Sequence, residues 1–308
     1  MITIERILCP VDLSEESTEA LRYAVALTRT YGAKLYLCYC AENSSVKNSP
    51  LSAEAKEKIE RTFANSIIRH LGHADFGRID WKGIIVENGN HPAEAITQEA
   101  AERGVNLIVM RSRRRPHRAA LLGSVAEAVC RTAPCPVLVT HPREREWVGA
   151  STGEINLRRV LVAYDFSDDS ERALSNALSL AEEYKAELHL LHVLSTQTMD
   201  GPEIAWMPMG AECAYHQASR RLQTAVTGYA HLRCKVVHAV RWGKPYQEVL
   251  AYAGENGVDL VCMGAHGKHF GAGALFGSNV DRVLRQAPCP ILVARSLKPS
   301  FSFVSSRS

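Results

Sequence analysis

DLVCMGAHG at 259–267, followed nine residues later by Gly277-Ser278, is the stretch on which the fold turns. The first five residues are a short apolar run of the kind that forms a buried parallel strand. A tight turn must follow it. Gly264 and Gly267 can take φ > 0 and carry no Cβ, so backbone N–H groups there can approach an anion closely. Ser278 falls where a helix begins, with Val280, Val283 and Leu284 on one face. Helix N-termini offer unpaired N–H donors and the positive end of a dipole. The spacing suits a phosphate read through backbone with the Ser278 hydroxyl added, and a purely structural turn is the other reading. Gly277-Ser278-Asn279 contains no lysine, which disfavours a P-loop of the Walker A type.

Working outward, the chain holds two copies of one unit. ILCPVDLSEESTEAL at 7–21 returns as VLVAYDFSDDSERAL at 160–174, so Asp12 corresponds to Asp165 at an offset of 153. GVNLIVM at 104–110 returns as GVDLVCM at 257–263 with the same offset, and APCPVLV at 133–139 as APCPILV at 287–293 with an offset of 154. Solenoid repeats run at roughly 20 to 50 residues, so this period marks duplicated domains. A length of 308 residues agrees, at roughly 100 to 200 per domain.

Apolar runs alternate with helical patterns in each half. Strands are expected at 4–11, 34–40, 81–87, 107–110 and 137–140, then at 160–163, 187–193, 234–239, 260–263 and 291–294. One intervening helix carries Ala55, Ile59, Phe63, Ile67 and Leu71 at steps of four. Ser14 and Ser167 precede acidic pairs and read as N-caps. The alternation predicts an α/β fold, two tandem doubly wound domains, each with a five-stranded parallel sheet between helices. Ligands in such sheets bind beyond the carboxyl ends of the strands, at a topological switch point. The edge strands 137–140 and 291–294 are expected to pair across a pseudo-twofold axis, because each would otherwise expose unpaired backbone groups. Domains are expected at 1–141 and 156–296, with a linker at 142–155, a frayed tail at 297–308 and at 196–209 an ordinary connection, a lid being the alternative reading.

No run approaches the ~18 apolar residues of a membrane span, and Met1 leads directly into the first strand, so a soluble, cytoplasmic protein is expected. Nine cysteines, with Cys9, Cys38 and Cys262 in expected core strands, read as free thiols of a reducing compartment. None has zinc spacing, and no metal site is assigned. Residues 1–150 carry 20 basic against 18 acidic side chains and the remainder 16 against 15, which disfavours binding of nucleic acid by bulk charge. RSRRRPHR at 111–118 is the local exception, either a solvated loop or an altered anion site.

An Asp after the first strand, a G-x2-G-x9-G-[ST] loop after the fourth and a closing CP(V/I)LV strand together resemble the universal stress protein family, in its tandem form and adenine-nucleotide-binding branch. The resemblance implies strand order 3-2-1-4-5 in each domain, with the fifth strand used for domain pairing. It implies ATP, with or without Mg2+, as the ligand of the second domain. Asp165 would lie by the nucleoside, with Ala163 and Tyr164 before it; turn formation is the alternative role for that carboxylate. Val193, at the end of strand two beside His192, would line the adenine pocket. Met263, Gly264, His266, Gly267, Gly277, Ser278, Asn279 and Val280 would form the phosphate loop. Asp12, Gly123, Ser124 and Val125 survive in the first repeat, but Arg111 and Arg113 or Arg114 stand where its loop glycines should be. The resemblance thus implies a stress-response sensor with one occupied domain, a homodimer or pseudo-dimer, and a regulatory protein partner. No general base stands out beside the loop, so no catalytic residue is assigned, although His266 and His269 keep slow hydrolysis or ATP-dependent transfer open as an alternative, beside a ligand-free adaptor.

Overall fold

The apolar runs fold as strands β1 (Arg6–Pro10), β2 (Lys34–Cys40), β3 (Trp81–Val86), β4 (Leu107–Arg111) and β5 (Val137–Thr140) in the first half. Those of the second half are β6 (Arg159–Ala163), β7 (Glu187–Leu194), β8 (Val236–Trp242), β9 (Leu260–Gly264) and β10 (Ile291–Ala294). A computed structural model describes residues 4–14, 17–41, 51–87, 91–112, 124–141, 145–149, 152–195, 207–229, 233–267 and 277–295. The expected tail, residues 196–206 of the expected connection, Gly123, the arginines at 113–115 and 118, and His269 lie outside the described residues; 207–209 already belong to a helix.

The ten strands form one sheet in the order β3-β2-β1-β4-β5-β10-β9-β6-β7-β8. Within each half the order is 3-2-1-4-5 and every pairing is parallel. The halves meet through β5 and β10, which run antiparallel. Leu138 pairs with Leu292, the same residue of each repeat, so the pseudo-twofold axis passes through that pair. Joining the two edges satisfies the backbone groups each would otherwise expose.

The helices are α1 (Ser17–Tyr31), α2 (Ala53–Leu71), the short α3 (His73–Phe76), α4 (Pro92–Glu102) and α5 (Ser124–Thr132), then α6 (Asp168–Tyr184), α7 (Met207–Ala225), α8 (Pro245–Glu255) and α9 (Ser278–Gln286). Leu21, Phe63, Leu174 and Leu222 bring α1, α2, α6 and α7 onto one face of the sheet. Ile96, Val129, Val249 and Val283 bring α4, α5, α8 and α9 onto the other. Burying one such side chain contributes about 1.5–3 kcal/mol. The chain leaving β6 therefore goes to one face and the chain leaving β9, its neighbour, goes to the other. A crevice opens between them at the strands' carboxyl ends.

Strand β8 lies further along the chain than the apolar pattern at 234–239 suggests. It is an edge strand whose residues are all half-buried, and Arg241 within it donates to the Glu255 carboxylate at 2.5 Å, so no apolar run marks its second half. Gly243, at φ 149, ends it. The linker is ordered where described: Gly149 N–H donates to Glu154 O, Asn156 N–H donates to Trp147 O, and Val148 bridges Ile155. Trp147 is buried edge-on against Tyr23 at 4.9 Å, which ties this hairpin to α1. All nine cysteines are free, and burial pushes the Cys9 thiol up to about 12. Among the described residues no helix is long and apolar enough to cross a membrane.

Candidate ligand-binding site

The crevice begins where β6 ends. Asp165 Oδ1 accepts from the Ser167 N–H at 3.1 Å and from its hydroxyl at 2.5 Å, a tight turn that delivers Ser167 as the N-cap of α6. Ser167 and Ser170 complete a reciprocal capping box. The intervening Phe166 sits at φ 64, a left-handed conformation that a bulky side chain adopts only when its surroundings hold it there. The first repeat builds the same turn, with Asp12 Oδ1 accepting from Ser14 N at 3.0 Å and Leu13 at φ 62. Turn formation is thus one role of both aspartates.

Glycine is required after β9 for a reason other than a positive φ, which neither Gly264 nor Gly267 adopts. A Cβ on Gly264 would lie 2.7 Å from the Asp169 carbonyl carbon, and one on Gly267 would lie 2.7 Å from Asp165 Oδ2. The strand end and turn are pressed against the start of α6. His266 is pinned there as well: its N–H donates to Asp169 Oδ2 at 3.1 Å and its Nδ1 lies 2.9 Å from the same oxygen. Gly277 N–H donates to Ala265 O at 3.1 Å, closing the loop and placing Gly277 as the N-cap of α9. Among the described residues no side chain caps α9, and its first-turn N–H groups point out of the helix end beside the turn.

A cavity of about 490 Å³ occupies this crevice, a size suited to a small-molecule ligand. Ala163, Tyr164 and Asp165 line it from β6, and Val193 from β7. Met263 and Gly264 line it from β9, His266 and Gly267 from the turn, and Gly277, Ser278, Asn279 and Val280 from the start of α9. The described residues assigned to the nucleotide in the second repeat therefore border one space, and His269 lies outside the described residues. His192 borders it too, with Nδ1 2.7 Å from the Tyr164 carbonyl oxygen and its ring 4.7 Å from Phe166. Burial, with a hydrogen bond to Glu171 second, drives the Tyr164 hydroxyl above its usual range, so it stays protonated. Chemically the cavity has an anion-accepting end at α9 and a half-apolar wall at β7.

Three lining residues carried no signal of their own. Phe166 differs from Leu13 only in a repeat comparison, Tyr246 opens α8 on its apolar side, and Arg221 lies on the polar face of α7. In the first repeat Arg111 closes β4 at the position of Gly264, with its side chain 8% exposed and ion-paired to Glu19 of α1. A long side chain thus occupies the point where the second repeat brings two backbones together.

The universal stress protein family's sequence model matches residues 3–141 and 156–295. Universal stress protein YxiE of Bacillus subtilis is 30% identical over 158 residues, 44% of this chain and 98% of its own length. Universal stress protein G of Shigella flexneri is 34% identical over 128 residues, covering 41% and 89%. Among solved structures, a universal stress protein from Archaeoglobus fulgidus superposes with a TM-score of 0.65 at 25% identity, across 96% of this chain and 97% of that one.

Proposed function

Since this chain belongs to the universal stress protein family, we propose that it binds one adenine nucleotide, ATP, in the cleft of its second domain, and that occupancy biases domain pairing or contact with a regulatory partner in a stress response. The two domains are taken as 1–141 and 156–296, joined by 142–155. The observation that carries the reading is the asymmetry between two copies of one unit. In the second, glycine backbone, an uncapped helix N-terminus and a half-apolar wall border a single cavity of about 490 Å³. In the first, the corresponding strand end carries Arg111, whose shielded side chain is ion-paired to the exposed Glu19. Helix N-termini and closely approaching backbone N–H groups suit phosphate, and the β7 wall at Val193 suits a purine.

Mass spectrometry of the gently purified chain tests the reading. Retained ATP in the wild-type chain, absent from a Gly267→Arg variant that remains folded by circular dichroism, is the expected result. A wild-type chain that neither retains ATP nor binds it when ATP is added would overturn it.

A further inference from the structure

Arg221 projects from α7 over Phe166, with its guanidinium carbon 3.7 Å from the ring centroid. Phe166 is itself held at φ 64, edge-on to Tyr164 at 5.0 Å and against His192 at 4.7 Å. The ring is thus flanked by Tyr164, His192 and the Arg221 guanidinium, and of these three residues only Arg221 is exposed. Arg221 borders the cavity, is exposed, and pairs with no carboxylate among the described residues.

The position of the stack decides which part of a ligand it meets. In the sheet, β6 lies between β9 and β7. Neighbouring strands are about 4.8 Å apart, so the β7 side is about 10 Å from the β9 side. The uncapped α9 N-terminus follows β9, whereas Phe166 packs against His192 of β7. A ligand whose phosphates reach α9 brings its base, and not its charge, to Arg221.

The first repeat has neither part. Leu13, at φ 62 and 38% exposed, holds the place of Phe166. The fully buried Leu222 of α7 and Ile67 of α2 mark equivalent turns, and the residue before each is Arg221 in one and Ser66 in the other.

Resting on the nucleotide reading, we infer that Arg221 is a specificity-determining residue: its planar guanidinium, backed by Phe166, is the platform on which the purine base stacks. Arginine stacks on aromatic planes through both its planarity and its charge, whereas lysine offers the charge alone.

Titration with ATP of the wild-type chain, Arg221→Met and Arg221→Lys, each at about 0.05 M and about 0.5 M salt, tests this. Methionine keeps apolar cover over Phe166 and removes plane and charge together. Arg221→Met is expected to weaken ATP about tenfold by the same factor at both salt concentrations, with Arg221→Lys between it and wild type. A loss confined to low salt would mean that the arginine pairs with phosphate, and unchanged affinity would mean that it only packs on Phe166; either overturns the stacking role and leaves the nucleotide reading standing. A wild-type chain that binds no ATP would remove the nucleotide reading, and this inference with it.

Discussion

A Cβ on Gly264 would meet the Asp169 carbonyl carbon at 2.7 Å and the Ser170 nitrogen at 2.8 Å, backbone atoms of a capped helix that have little room to yield. Gly264→Ala should therefore destabilise the chain by about 1–3 kcal/mol, read as a lower urea midpoint at unchanged slope. Sequence spacing singled out this glycine for dihedral freedom that it does not use, and the steric reason was hidden because α6, the neighbour that forbids a Cβ, lies almost a hundred residues earlier in the chain. The turn at Asp165 was legible in the repeat, whereas the stack of Phe166 on Arg221 joins residues from two elements and leaves no pattern in either. A separate residue sets a pH limit. His189 on β7 is buried, with Nδ1 2.8 Å from the Tyr252 hydroxyl, and burial lowers its pKa below the ordinary 6.5, against a weaker opposing pull from Glu187. The unfolded chain then binds the proton more readily, so stability is fully present above pH 6.5 and is lost as pH falls towards the folded value. His189→Gln should flatten stability against pH below 6.5 relative to wild type, measured by denaturant unfolding. An identical slope in both proteins would remove His189 as the cause.

At the scale of elements, strands β2, β5 and β10 coincide with their apolar runs, and the cap of α6 is the serine that the acidic pair after it marks. Parallel strands buried on both faces write themselves as continuous apolar runs, which is why these are legible. Strand β8 was less so, since an edge position and the Arg241–Glu255 pair break its run. Helix α9 matters most to the site. Among the described residues its first turn has no side-chain cap, and the Gly277–Ala265 hydrogen bond fixes its start beside the turn after β9. Backbone N–H groups and the helix dipole together supply the positive field that a metal would otherwise supply. ATP affinity should consequently fall only a few-fold when a chelator removes magnesium, as followed by calorimetry. A collapse of affinity with the chelator would mean that a bridging cation, and not this helix end, holds the phosphates.

Across the whole molecule, an offset of 153 to 154 residues accounts for two domains, and the direct pairing of Leu138 with Leu292 turns two sheets into one. The duplication and the need to cover both edge strands were readable in advance. The way the linker hairpin uses Trp147 against Tyr23 was not, because the two residues lie far apart in the chain and neither segment's pattern marks the contact. Symmetry of fold makes the asymmetry of chemistry conspicuous: the same strand end carries Gly264 in one repeat and the buried Arg111 in the other. On the proposed function the ligand is confined to the second domain because both loop glycines are replaced in the first repeat, one by Arg111 and the other by Arg113 or Arg114. Calorimetric titration of ATP into the wild-type chain, Gly267→Arg and Arg111→Gly tests it most directly. One site per chain in wild type and in Arg111→Gly, with none in Gly267→Arg, is the predicted result, and two equivalent sites in wild type or full affinity in Gly267→Arg would contradict it.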